Sequence, residues 1–239
     1  MEIQLFIPCF MDQLFPNTAL NMIKVLERYG CTVHYNDNQT CCGQPAYNAG
    51  FRAESKDVCT KFLKDFEGEM LIVTPSASCA GFIKNYYATI YDNSSQHNVV
   101  KSVANRVVEF TDFMVNHLHV TNVGATLNAT ATYHDSCAAI REYKLGNEPR
   151  QLLSQVQGLQ LVEMDDNTTC CGFGGTFAVK FEGISSAMAD QKLDNATKTG
   201  ASVIISTDVS CLMHIDGYAK RNQSNLTTMH IADVLASGW

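Results

Sequence analysis

Eight of the ten cysteines in this 239-residue chain fall into a pattern that could do chemistry. Adjacent cysteines followed by glycine occur twice, in NQTCCGQPAYNAGF (Asn38 to Phe51) and in NTTCCGFGGTFAVKF (Asn167 to Phe181), with Cys41 and Cys170 offset by 129 positions. Cys9 precedes the first doublet by 32 positions and Cys137 the second by 33; Cys79 follows Cys42 by 37 and Cys211 follows Cys171 by 40. Four thiolates can close a zinc site or hold an iron–sulfur cluster. The spacing matches neither zinc ribbons nor ferredoxin runs. Adjacent side chains diverge, so a doublet suits a cluster, whose irons are spread over several ångströms, better than one small tetrahedral ion. Gly43 and Gly172 can adopt positive φ and would aim amide N–H groups at the sulfurs, a contact that tunes reduction potential. The candidate metal and cofactor ligands are therefore Cys9, Cys41, Cys42 and Cys79 in one half and Cys137, Cys170, Cys171 and Cys211 in the other. The residues single out no catalytic group.

The elements that must position these thiols also repeat. LIVTPSASC (Leu71 to Cys79) matches VIISTDVSC (Val203 to Cys211), and VVEFTDFMVNH (Val107 to His117) resembles MHIADVLASG (Met229 to Gly238). Short apolar runs such as IQLFI, TVHY, LIVT, ATATY, LQLVEM and SVIIS read as strands. They alternate with helical patterns: NTALNMIKVLERYG with an Asn17 cap and a Gly30 stop, AESKDVCTKFLKDF, a helix from about Ala80, EPRQLLSQVQ, GISSAMADQKLDNATKTG and LMHIDGYAKR. This alternation predicts an α/β fold of parallel βαβ units, in two similar halves related by a pseudo-twofold axis. The first repeat is expected over residues 1–120 and the second over 121–239, with the linker near HVTNVGATLNAT. Cys9, Cys79, Cys137 and Cys211 would follow strand C-terminal ends, the edge at which open α/β sheets bind ligands.

Composition narrows the function further. The formal net charge is −7, with no long basic run, which argues against a nucleic-acid partner. No stretch approaches the roughly 20 apolar residues of a membrane span, and the start of the chain lacks the pattern of a targeting signal, so a cytoplasmic location is expected. In a reducing compartment many cysteines point to metal or redox chemistry rather than to a disulfide framework.

The doubled C…CCG…C pattern resembles the cysteine-rich CCG domain shared by heterodisulfide reductases and the iron–sulfur subunits of glycolate oxidases. CFMDQLFP, CCGQPAYNAG, TPSASCAG, YHDSC, CCGFGGTFAVKF and STDVSCLMHI together resemble the lactate utilisation protein A group, over essentially the whole chain. That resemblance implies an iron–sulfur electron-transfer subunit of a cytosolic complex that oxidises L-lactate to pyruvate. Its companions would be a ferredoxin-like iron–sulfur protein and a third small protein. One departure matters. The reductase pattern ends each motif in C-x-x-C, whereas Ser76 and Asp208 stand at the earlier position here. With four cysteines per half, one 4Fe–4S cluster per half is the simplest count. Thiol–disulfide chemistry of the reductase type, or a zinc-bound structural scaffold, is the alternative.

Other residues read more plainly. Cys31 and Cys59 have no repeat counterpart and read as structural. Asp208 reads as the cap of the helix that follows it rather than as an oxygen ligand, and His134, three residues before Cys137, as a hydrogen-bonded structural histidine rather than as a donor to the ligands or a proton carrier. GFGG at Gly172 lacks dinucleotide-motif spacing. An exposed apolar patch for a partner is expected around Pro45, Tyr47, Phe51, Phe173 and Phe177.

Overall fold

The structure is a computed structural model that describes residues 1–92 and 95–239. Two four-stranded, all-parallel sheets organise it. The first contains β1 (Glu2–Leu5), β2 (Thr32–Tyr35), β3 (Leu71–Thr74) and β4 (Val107–Glu109), in the order β2-β1-β3-β4. The second contains β5 (Thr126–Tyr133), β6 (Gln157–Leu161), β7 (Val203–Ser206) and β8 (Thr227–His230), in the matching order β6-β5-β7-β8. Helices connect successive strands, as parallel pairing requires. The two halves are thus the same α/β unit used twice, as the repeat predicts.

Side chains alternate across each sheet and feed a shared core and one further core in each half. Ile3, Leu5, Val73 and Val108 of the first sheet join Ala131, Tyr133, Val203 and Ile205 of the second in one shared core. Phe6, Ile72 and Val107 point the other way, into a core private to the first half, and Ile204 does the same in the second. Helices Pro16–Arg28 and Ile231–Leu235 meet across the halves in the shared core. There Asp233 accepts from Thr18 Oγ1 (2.9 Å) and Asn21 Nδ2 (2.8 Å).

Some local expectations change. Asn17 lies inside the helix Pro16–Arg28, whose N1 position is Pro16, and caps nothing. The fixed φ of Pro16 starts the helix in place of a side-chain cap. Gly30 closes it at φ +80°. The helix expected from about Ala80 begins at Ala77, with Ser76 Oγ accepting from Cys79 N. EPRQLLSQVQ is helical only over Glu148–Leu153, after which the chain turns into β6. Strands β4 and β8 show in the sequence only as matching stretches, because three or four residues have no period of their own.

Candidate metal centres

Strand β1 runs into Cys9, the N-terminal residue of the helix Cys9–Leu14. Its approach is fixed by Gln39, two residues before the first doublet, which accepts from Ile7 N (2.7 Å) and donates to Leu5 O (3.1 Å). Cys9 Sγ and Cys41 Sγ consequently lie 3.6 Å apart. Cys79 enters from the first turn of the helix Ala77–Ile90, and its sulfur lies 3.4 Å from Cys42 Sγ. The four thiols expected in the first half are therefore gathered as two close pairs joined through the doublet.

The second half uses different struts for the same end. Arg150 holds Asp135, two residues before Cys137, through a two-pronged ion pair (3.0 and 2.7 Å), and it also binds Glu163. Glu163 in turn accepts from Asn167 Nδ2 at the start of the second CCG loop. Cys137 and Cys170 sulfurs lie 3.8 Å apart. The Cys171 and Cys211 sulfurs lie within 4.8 Å of each other. Positive φ at Gly43 (+89°) and Gly172 (+93°) turns each glycine N–H back onto the first sulfur of its doublet, at 3.3 Å to Cys41 and 3.5 Å to Cys170. Ser55 and Ser185 fix the same glycines by donating to their carbonyls.

These contacts set the charge state of the sulfurs. Hydrogen bonds from Cys42 and Cys9, with the Gly43 amide, hold the Cys41 thiol well below the usual thiol range. Bonds from Cys137 and Cys171, with the Gly172 amide, hold Cys170 down in the same way. The donating thiols are pushed up by those same bonds and by burial. In the second half Cys211 is lowered as well, chiefly by Cys171. Each half thus favours the thiolate form at one sulfur surrounded by further thiols, a donor set suited to soft metal ions and iron–sulfur clusters.

Cys31 and Cys59 lie outside both sets. Cys59 sits behind the first doublet, where its thiol donates to Cys42 O at 3.6 Å. Burial pushes it up to about 11. Cys31 packs in the shared core.

Two sequence readings are corrected. Asp208 does not cap its own helix, Val209–Arg221. It reaches across the pseudo-twofold axis, where one carboxylate oxygen accepts from Ser76 Oγ (2.8 Å), Ser78 N (3.3 Å) and Ser78 Oγ (2.7 Å). The loops leading to Cys79 and Cys211 are thereby tied together, and Phe10 and Phe173, beside the two sites, stack edge-on at 5.6 Å. His134 is not a satisfied histidine. It is fully buried, both ring nitrogens lack a hydrogen-bond partner, and its donor nitrogen, Cys171 Sγ and Cys211 Sγ all lie within 4.8 Å of one another.

Sequence reasoning also missed Lys192. It is buried and donates to the carbonyls of Asp166 and Asn167, just before the second doublet. Of the apolar patch expected for a partner, Pro45 and Phe51 are exposed, whereas Tyr47, Phe173 and Phe177 are half-buried. Val179, Phe181 and Ile184 add a second exposed apolar group near the second CCG loop. A cavity of about 260 Å³ opens onto Cys9 and Cys41 between Ile7, Asp12, Gln13, Gln39 and Thr40. No helix among the described residues is long and apolar enough to cross a membrane.

Parallel sheets in a twofold repeat, each gathering four thiols at its carboxyl edge, define a class of α/β proteins with paired cysteine-rich centres. The chain belongs to the CCG cysteine-rich domain family, whose profile matches residues 3–84 and 131–216, and within it to the lactate utilisation protein A group. It is 41% identical to lactate utilization protein A of Bacillus subtilis over 237 residues, covering 99% of this chain and 100% of that one. It is 39% identical to lactate utilization protein A 2 of Bacillus cereus strain Q1, covering 100% and 99%. A solved structure of a hypothetical protein from Helicobacter pylori has the same fold over all of this chain (TM-score 0.65, 10% identity), and the chain spans 49% of that protein's length.

Proposed function

We propose that this protein serves lactate utilisation as an electron-transfer subunit with one iron–sulfur centre, of the 4Fe–4S type, in each half. The observation that carries the reading is the gathering of Cys9, Cys41, Cys42 and Cys79, and of Cys137, Cys170, Cys171 and Cys211, into two equivalent sets at the sheet edges. When bound, such a group accepts and passes on one electron at a time. The chain's own contribution is to supply thiolates at Cys41 and Cys170, to aim the Gly43 and Gly172 amides at those sulfurs, and to brace the two sites against each other through Asp208. Oxidation of lactate to pyruvate releases two electrons, so one-electron centres call for companions: a ferredoxin-like iron–sulfur protein and a third small protein. The relatives' names support the substrate.

Zinc is the second reading, and the sulfur spacing favours it. Pairs at 3.4–3.8 Å match the edge of a tetrahedron with bonds of about 2.3 Å. Anaerobic iron, sulfide and zinc analysis, with an electron paramagnetic resonance spectrum of the dithionite-reduced protein, separates the two. Iron and sulfide in equal amount with a reducible signal is expected; stoichiometric zinc with no signal would replace electron transfer by a structural role. On the electron-carrier reading the isolated chain reduces no dye with lactate until the companion proteins are added.

A further inference from the structure

The repeat makes the two centres comparable residue by residue, and the comparison exposes a difference. Phe6 occupies the position three residues before Cys9 that His134 occupies before Cys137. Phe62 lies seven residues after Ser55, and Lys192 seven after Ser185, the two serines that bind the CCG glycines. In the first half Phe6 and Phe62 are in edge-to-face contact at 4.9 Å and close the site with an apolar wall. In the second half the same two positions carry an imidazole and an ammonium. An aromatic pair needs nothing from its surroundings but packing. A buried imidazole needs hydrogen bonds or a metal, because a polar group buried without a partner destabilises the fold.

From this we infer that the second-half centre is a mixed imidazole–thiolate site in which His134 is a direct ligand beside Cys137, Cys170, Cys171 and Cys211, whereas the first-half centre is bound by thiolates alone. His134 is 0% exposed, and neither ring nitrogen has a protein partner. The backbone cannot let the ring escape: His134 N donates to Ile205 O (2.8 Å) and Ser206 Oγ donates to His134 O (2.9 Å), which locks the residue between β5 and β7. The ring nitrogen is already grouped with the sulfurs of Cys171 and Cys211 within 4.8 Å. Imidazole and thiolate are both accepted by zinc and by iron. The imidazole adds no negative charge to that of the four thiolates, and the Lys192 ammonium nearby offsets part of it, so the second centre would be the easier of the two to reduce.

The inference rests on the metal-centre reading above, and one experiment distinguishes the two. Full-length protein labelled with nitrogen-15 at histidine is loaded anaerobically with iron and sulfide or, separately, with cobalt(II) alone. Bound metal is counted, and nitrogen coordination is read from electron spin echo modulation and from metal-edge X-ray absorption. The expected result is metal at both halves and one histidine nitrogen coupled to metal in the unaltered protein. That coupling should be lost in both His134→Phe and His134→Gln, while the first-half centre stays bound. The wild-type reading needs no variant and stands even if a substitution prevents folding. Sulfur-only coordination in a metal-loaded wild type, or coupling that survives in both variants, overturns the histidine ligand and leaves the metal reading intact. A protein that binds neither probe overturns both.

Discussion

At the scale of single residues, neighbouring cysteines of similar sequence setting have unlike tasks. Cys42 and Cys59 both pack against the first CCG turn, and burial raises both. Cys42 faces another candidate ligand sulfur, whereas Cys59 only donates to a carbonyl. A serine can make that donation too. Cys42→Ser and Cys171→Ser are therefore expected to lower the metal content of their own half in elemental analysis, whereas Cys59→Ser keeps it and costs less than about 1 kcal/mol in urea unfolding. Equal metal loss in all three would refute the assignment. Glu109 offers a second test. It ends β4 fully buried, and burial holds its carboxyl up at about 8, against bonds from Thr111 and Asp112 that favour the anion. Folding thus favours the neutral acid. Its contribution is complete below the unfolded value near 4.5 and fades as pH climbs to about 8. Glu109→Gln, neutral throughout, should gain stability relative to wild type as pH rises through that window. Unfolding midpoints that keep a constant separation would mean the carboxylate is ionised in the fold.

At the scale of elements, the sequence was legible where the signal was periodic or duplicated. Alternating apolar runs and helical stretches revealed the βαβ units, and the repeat offset grouped eight thiols, four of them just after strand ends, without any contact being known. Legibility failed where a residue's partner belonged to the other repeat. Asp208 looks like a cap in its own helix, and only the fold shows Ser76 and Ser78 facing it. His134 and Lys192 could have been found by aligning the repeats with each other, since each stands where the first half has phenylalanine. The two CCG turns show how unequal matched elements can be. A Cβ on Gly172 would lie 2.6 Å from Ser185 O, a backbone atom held in a helix, whereas on Gly43 the nearest atom is Cys59 Sγ at 3.0 Å, with Ser55 O at 3.2 Å. Both glycines have positive φ, a strain of about 1–3 kcal/mol for another residue. Gly43→Ala should cost about that much in chemical denaturation, and Gly172→Ala distinctly more, because the Ser185 carbonyl cannot move aside without unwinding the helix Glu182–Lys198. The reverse ranking would show that the first turn, and not the second, is the tighter one.

At the scale of the molecule, the question is whether the two repeats are separate bodies. Their private cores are the smaller ones; the largest cluster draws Ile3, Leu5, Val73 and Val108 together with Ala131, Tyr133, Val203 and Ile205. Splitting the chain would uncover that face on both fragments and would also strip Asp233 of Thr18 and Asn21, His230 of the Pro75 carbonyl, and Asp208 of its two serines. Burial of apolar surface is worth about 25 cal/mol per Å², and a domain's net stability is only about 5–15 kcal/mol. A few hundred square ångströms left uncovered therefore removes most of it. Fragments 1–120 and 121–239 made separately are expected to be poorly dispersed in nuclear magnetic resonance spectra and to aggregate, and to regain native dispersion when refolded together. The intact chain should unfold in one transition, with tryptophan fluorescence at Trp239, which stacks on Arg28 of the first half, reporting the same midpoint as far-ultraviolet circular dichroism. A fragment 1–120 that folds on its own, or two separated transitions, would mean that the shared core is a docking surface between autonomous domains. The bracing of the two metal centres through Asp208 would then be a consequence of docking, not a condition of folding.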